Sequence, residues 1–521
     1  MIGRAALLFA PLVACSHAAP RDLPQDVAPE LSAPEVAEHL LSRVTFGARP
    51  EDRRRIAREG VAAFLDEQFD PGRLDDGALD QQLGRFDILQ KPPGALAERM
   101  TEQRQARKRN AALEQAPPPP GGADAGPKMR EPGVKREVIV ALAQAKVLRA
   151  AYSRRQLLEV MTDFWFNHFN VFAGKAEEAA LLPAYEQEAI RAHALGTFPE
   201  LLEATARSPA MLLYLDNWRS AAPRPFARKR RGLNENYARE LLELHTLGVD
   251  GGYTEKDIVE VARCFTGWTI AEPRTNPHFV FRPAMHDFGP KLVLGHALPA
   301  GRGEEDGEEV LRILARHPAT ARFIALELAR RFVSDQPPPE LVDRVAETYR
   351  RTGGDIRPML RTIFESPEFW SRDALRAKVR SPLEMVAGSV RALEAKVDDP
   401  LPLARAVARM GEPLYLAQAP TGYPDGAQTW LSSGALLSRI DFGLRLANGQ
   451  LPGTEVDLSP LADASPEGAL QKAAARLGAV ELSEKTRGYV LDELKRSPQR
   501  PELLAARAVG LLLGAPELQR R

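Results

Sequence analysis

Residues Asn234 to Ile270, NENYARELLELHTLGVDGGYTEKDIVEVARCFTGWTI, decide how the chain is built. Asn234 offers a side-chain oxygen to backbone N–H groups that have no partner at a helix start, and Glu235 stands at the positive end of the helix dipole. The helix this predicts runs to Gly248. At about 100° per residue, Ala238, Leu241, Leu242 and His245 share one face, while Glu235, Arg239 and Glu243 follow one another at i, i+4 on another. After the loop Val249-Asp250-Gly251-Gly252, Thr254 and Asp257 form a capping box, and Ile258, Val261, Ala262 and Phe265 give a second helix its apolar stripe, which Gly267 stops. The Asp250 loop lacks the alternating oxygen ligands of a calcium loop. Two amphipathic helices joined by a glycine loop predict a helical body.

Outward from this stretch the same period recurs. Residues 34–47, 52–69 and 98–115 read as helices, and so does Ser153 to Phe172. In the last of these Leu157, Met161, Phe164 and His168 share one face, and Glu159, Asp163 and Asn167 another. Beyond Glu308 the reading is helical almost throughout. The best strand signal is His278 to His296, HFVFRPAMHDFGPKLVLGH, where Phe279 and Phe281 alternate with polar positions and Lys291 to Leu294 form a second extended run. The fold class expected is therefore mainly α, a multi-helix globular body with one small β-hairpin near 278–296. Four prolines followed by glycines within 116–133 cannot join a packed core and read as a disordered insertion in a single large domain, 34–521.

Several segments together closely resemble a bacterial family known as "domain of unknown function 1800". They are the opening stretch, HLLSRVTFGARP, FWFNHFNVF, YEQEAIRAHALGTFPELLEATARSPAMLLYLDN, HDFGPKLVLGH, HPATARFIALELARRFV, YPDGAQTW and LLSRIDF. The resemblance runs from about His39 to near the end. It marks Arg191, His193, Asp216, Asn217, His286, Asp287, Tyr423 and Asp425. It implies no reaction, and it implies as a partner a secreted protein of the "domain of unknown function 1501" family, which is often encoded beside it.

The first residues predict export. Arg4 supplies a positive region, Ala5 to Ala14 a short apolar one, and Leu12-Val13-Ala14-Cys15 resembles a lipobox, so residues 1–15 read as a signal peptide with Cys15 the lipidated residue. Cleavage after Ala18 or Ala19 is the competing reading. Cys264 is the only other cysteine, so Cys15 is not needed for a disulfide framework. Residues 16–33 read as a tether. Ser16 is not an inner-membrane retention signal, which points to a lipid-anchored protein of the cell envelope, at the outer membrane of a two-membrane bacterium. Lys+Arg and Asp+Glu both number 70, which gives no general reason to expect nucleic acid as a partner. No apolar run reaches the roughly 18 residues of a membrane-spanning helix.

Candidate site residues follow from ionisable or amide groups set among apolar ones. Glu240 and Glu243, at i and i+3, are placed to share a proton or a cation, and His168 offers a general base; these three are the catalytic candidates. Asn167, Asp216, Asn217, Asn234, Asn236 and Arg239 are the binding candidates, and His245, His286 and Asp287 the candidate ligands of a divalent metal ion. In this reading the Asn234–Gly248 and Ser153–Phe172 helices lie side by side and the His286-Asp287 loop closes over them. A basic loop, Arg224 to Arg231, would bring positive charge beside the site. None of H-E-x-x-H, G-x-S-x-G, a phosphate-binding glycine loop or a paired C-x-x-C is present. Three classes stay open: a binding or assembly factor working with a secreted partner, a metal-assisted envelope hydrolase, and an acidic-glycan-binding protein.

Overall fold

The computed structural model describes residues 30–114, 133–175, 177–223, 232–273, 275–479, 481–498 and 500–521. The signal segment with Cys15, residues 16–29 of the expected tether, nearly all of the 116–133 insertion and the Arg224–Arg231 loop lie outside them. Twenty-two α-helices make up most of the described chain, and the strands form three two-stranded antiparallel ladders, so the fold is mainly α. Buried apolar side chains from Leu31 to Leu518 join in one continuous core. Leu31 is already part of that core and a helix starts at Ala33, so the chain enters the body before the expected end of the tether. No described helix is long and apolar enough to cross a membrane.

The opening stretch folds as two helices, with one departure from ideal geometry. The Asn234 side-chain oxygen accepts from the backbone N–H of Asn236 at 3.0 Å, and a helix runs Asn236–Glu240. It continues as a π-helical turn, Leu241–Thr246, in which the Leu247 N–H donates to the Leu242 carbonyl. Ala238, Leu241, Leu242 and His245 are all buried, as their spacing requires. Arg239 does not complete a ladder along its own helix. It donates from both terminal nitrogens to Glu255 of the next helix at 3.0 Å each, with Glu235 3.9 Å away. The Thr254–Asp257 capping box is formed and opens the Glu255–Cys264 helix.

The 153–172 helix is shorter than its periodicity suggests, Gln156–His168. The turn before it is pinned by Asp76, which accepts from the Ser153 hydroxyl at 2.6 Å and the Arg154 N–H at 2.7 Å. A separate helix, Val134–Tyr152, precedes that turn.

The expected hairpin is corrected. His278–Phe281 and Lys291–Val293 are both strands, but they do not pair with each other. His278–Phe281 pairs backwards with Trp268–Ala271, and Lys291–Val293 pairs forwards with His296–Leu298. The reason is local: Leu294 and Gly295 both take positive φ, 48° and 81°, giving the two-residue turn that joins twisted strands most tightly. Pro283–Met285 meanwhile forms a helical turn that diverts the chain between the two.

Candidate functional site

The Gln156–His168 helix supplies the floor of a cavity of about 250 Å³. Asp163, Phe164, Phe166, Asn167 and His168 line it, and Lys146 of the preceding helix joins them. Phe323, Glu327 and Arg331, spaced i, i+4, i+8 on the Pro318–Phe332 helix, contribute one stripe. The remaining wall is the loop from Glu412 to Trp430, with Asn170, Leu244 and Ser381.

That loop is fastened by amides. Asn167 donates from its side chain to the Tyr423 carbonyl at 2.8 Å and accepts from the Tyr423 N–H at 2.7 Å. Asn170 donates to the carbonyls of Ala417 and Ala419 at 3.1 and 2.8 Å. Gly422 lies against Asn167 with φ 67°, and a Cβ there would collide with the Asn167 carbonyl and side-chain oxygens. Tyr415 holds a left-handed backbone, φ 64°, which a bulky residue adopts at a cost of about 1–3 kcal/mol, and such strain gathers at functional sites. Its hydroxyl donates to Glu186, which stands 3.7 Å from Arg191; Arg191 in turn donates to both oxygens of Glu159 at 2.6 and 2.9 Å. A buried charged chain thus backs the Tyr415 wall.

The electrostatics of the cavity centre on two carboxyls. Lys146 donates to Asp163 at 2.9 Å and sits 4.9 and 4.6 Å from the ring centres of Phe166 and Tyr415. Burial works against the ammonium, but Asp163 and Glu186 outweigh it and hold its pKa above the ordinary value. Glu412 accepts from the Leu383 N–H at 2.8 Å. Burial, and then the charge of Asp163, push its pKa up to about 8, so it keeps its proton at neutral pH. Burial also raises Glu327, with Arg330 opposing. A proton-bearing carboxyl beside a lysine-paired carboxylate is the division of labour that acid–base catalysis uses.

His168 is the one catalytic candidate from the sequence that reaches this cavity. Its Nε2–H donates to the His245 carbonyl at 3.2 Å, which leaves Nδ1 with the lone pair, and burial lowers its pKa to about 4. The same bond, with Phe169 and His245 rings 5.0 Å apart, shows that the two helices do meet. Glu240 and Glu243 do not line the cavity. They are partly exposed on the Asn236–Thr246 segment, where burial and then Glu243 raise the pKa of Glu240.

Most of the binding candidates other than Asn167 hold chain to chain. Asp216, in a left-handed conformation, pairs with Lys175 at 2.8 Å, and its carbonyl accepts from the Asn234 side chain at 3.0 Å. Asn217 is fully buried and donates to the carbonyls of Phe265 and Trp268 at 3.2 and 3.0 Å. Asn236 donates to the Leu215 carbonyl at 3.3 Å. Arg239 is spent on Glu255.

The metal candidates do not converge. Burial, then His168, lowers the pKa of His245 to about 3. His286 has both nitrogens engaged, Nδ1 at 2.7 Å from the Thr266 carbonyl and Nε2 at 3.3 Å from Asp306, which is itself fully buried and paired with Lys291 at 2.6 Å. Asp287 accepts from Arg263 at 2.8 Å, which holds its carboxyl below the usual range. These contacts fix the loop to the Glu255–Cys264 and Glu305–Arg316 helices, and neither His286 nor Asp287 lines the cavity. Among the described residues no three or more His, Cys, Asp or Glu side chains are grouped to hold a metal ion. Cys264 is buried, and burial raises its thiol pKa far above the ordinary value.

Sequence reasoning placed Asp163 on the polar face but did not single it out, and it missed Lys146, Glu327, Arg331, Glu412 and Tyr415. Glu412 precedes Tyr423 by eleven positions in a loop with no periodicity, so no local signal marks it. Tyr423 and Asp425, marked by resemblance, do line the cavity.

A mainly helical body with a small carboxyl-bearing cavity is the class of protein that the fold and the site define. The chain belongs to the family described as "Protein of unknown function (DUF1800)", whose model matches residues 39–520 and therefore spans every residue that lines the cavity. No curated protein and no solved structure matches the chain.

Proposed function

We propose that this is an exported envelope protein that binds a small polar molecule in this cavity and acts on it by acid–base chemistry, with Glu412 as proton donor and Asp163 as its carboxylate partner. The observation that carries the reading is Glu412 itself. It is a buried carboxyl that accepts from the Leu383 N–H and the Ser381 side chain and is still kept protonated by burial and by Asp163, at the wall of a cavity instead of inside a closed core. The strained Tyr415 and the paired amides of Asn167 add support, because both hold the lining in place and Tyr415 does so at a cost. At about 250 Å³ the cavity lies just below the usual range of roughly 300–1,000 Å³ for ligand pockets, so it suits a small molecule.

The test is incubation of the mature protein with the polar small molecules of an envelope extract, followed by mass spectrometry. The wild type is expected to deplete or retain a component that Glu412→Gln and Asp163→Asn leave untouched. Identical profiles for all three proteins would remove the proposal. Export with lipidation at Cys15 rests on the Leu-Val-Ala-Cys run, and a mature N-terminus at Ala19 or Pro20 without a lipid would overturn it. A secreted "domain of unknown function 1501" protein is the proposed partner, to be tested by co-purification of the two defined proteins.

A further inference from the structure

We infer that the molecule bound in this cavity is uncharged and hydroxyl-bearing, of the size of a single sugar ring, and that one of its hydroxyls donates to Nδ1 of His168 between the rings of Phe164 and Phe323. The inference rests on the functional reading above and names the ligand class. His168 lines the cavity, and its Nε2–H is committed to the His245 carbonyl at 3.2 Å, so Nδ1 carries the lone pair. No described group donates to this Nδ1, and unlike Nδ1 of His39 it is not sealed in the core, so it faces the cavity as an acceptor. The ring centres of Phe164 and Phe323 lie 6.3 and 6.0 Å from that of the imidazole, and both rings line the cavity. Burial lowers the His168 pKa to about 4, so at neutral pH the imidazole accepts a hydrogen bond and does not take up the proton.

Each charge on the cavity wall is answered within the protein. Lys146 lies 2.9 Å from Asp163, Arg331 lies 2.8 Å from Glu384, Asp425 takes Lys378 at 2.7 Å, and Glu327 takes Arg330 at 2.7 Å. Glu412 is neutral because it keeps its proton, and it accepts from the Leu383 N–H at 2.8 Å. An ionic ligand would have to break one of these pairs or stand unmatched where water is largely excluded, and both are unfavourable. An ammonium finds no free carboxylate, and an anion finds no free cation and is repelled by the bare nitrogen of His168. An uncharged molecule enters without disturbing any pair.

A hydroxyl is the uncharged group that donates and accepts through one atom. It supplies the hydrogen that Nδ1 lacks, whereas a purely apolar ligand would leave that nitrogen dehydrated and unpaired. Elsewhere on the wall a group of the same kind accepts from the Glu412 O–H, which agrees with Glu412 as proton donor. Phe164, Phe323 and Trp430 present apolar surface to the carbon faces of such a molecule.

The experiment is titration of the full mature protein, followed by NMR, at slightly acidic pH where glucosamine is cationic. The probes are the neutral hexoses glucose, galactose and mannose, the charged counterparts glucosamine and glucuronate, and the uncharged amide succinamide. At least one neutral hexose is expected to bind about tenfold or more tightly than either charged counterpart, and to move the nitrogen signal of His168 Nδ1 while Nε2 stays in place. His168→Phe keeps a ring but removes the acceptor, and should weaken that hexose about fivefold or more. If this variant does not fold, the Nδ1 signal of the wild type decides. A charged counterpart or succinamide binding as tightly as the hexoses overturns the assignment, as does an unmoved Nδ1 signal or undiminished binding in folded His168→Phe. Failure of all three neutral hexoses overturns it too. Because the functional reading is judged on extract depletion by Glu412→Gln and Asp163→Asn, its failure is seen separately.

Discussion

Two buried lysine–carboxylate pairs carry similar chemistry to different ends. Under the small ladders, Lys291 and Asp306 meet at 2.6 Å with both side chains essentially inaccessible. Asp306 also faces His286 at 3.3 Å and Arg302 at 2.9 Å, while the Lys291 ammonium donates to the carbonyls of Asp287 and Gly289. That cluster closes on itself. At the cavity, Lys146 and Asp163 meet at 2.9 Å, but Asp163 retains partial exposure and the protonated Glu412, which feels its charge, makes no direct ion pair. Both clusters contain a histidine, a lysine and an acid, so residue inventory does not distinguish structure from function. Whether a cavity opens onto the charges does.

Breaking the closed cluster should have the largest effect. Asp306→Ala leaves the Lys291 ammonium buried without its carboxylate, and loss of one partner of a buried pair costs about 3–5 kcal/mol. A urea midpoint reduced accordingly, with extract depletion unchanged in protein that still folds, is the expected result; an unchanged midpoint would show that the cluster is not structural.

The next effect is a pH optimum of stability. His39, His168 and His245 are held by burial at about 3, 4 and 3, below the ordinary 6.5, so as pH falls below 6.5 the unfolded chain takes up protons that the folded protein refuses. Each contributes a loss of about 1.4 kcal/mol per pH unit until its folded pKa is reached. Glu412 runs the other way: its folded pKa of about 8 exceeds the ordinary 4.5, so its contribution declines as pH rises between those values. Stability should therefore peak near neutrality, with a net loss of about 1 kcal/mol in the first pH unit below the optimum that steepens toward about 3 kcal/mol per unit once the unfolded histidines are fully protonated. Denaturant titrations across pH 4 to 9, all roughly spaced by one unit, would show a steep acid limb and a shallow alkaline one.

Glu412→Gln sharpens the comparison at a smaller scale. It should flatten the alkaline limb and leave the protein on the order of 2 kcal/mol more stable at pH 8, while extract depletion is lost. A variant that is destabilised at every pH would place Glu412 with the closed cluster. Smallest of all is Glu240→Ala. Its carboxyl is partly exposed and lies outside the cavity lining, so stability should change by no more than about 0.5 kcal/mol and extract depletion not at all.

How far the sequence could be read follows a physical boundary. Helix existence, the buried face Ala238-Leu241-Leu242-His245, the Thr254 capping box and the family all come from residues within a few turns of one another, and such local patterns set period, caps and faces whatever packs against them. Asn167 could be flagged as an amide among aromatics, yet its role as the clamp on Tyr423 spans 256 positions. The strand partners of His278–Phe281 and Lys291–Val293 were settled by the positive φ of Leu294 and by the helical turn at Pro283, features weaker in sequence than the alternation of the strands themselves.

Tertiary structure alone decided which charges meet. Glu240 and Glu243 are conspicuous in sequence because they share a helix face, but they sit apart from the cavity. Lys146, Asp163, Glu327 and Glu412 are ordinary in sequence and meet only when two helices, a third from more than 150 positions later and a loop are packed together. Periodicity fixes which side of a helix is buried. It cannot fix which charges stand opposite, because that depends on distances between elements, and it is burial beside Asp163 that keeps the proton on Glu412 and turns a buried acid into a candidate site.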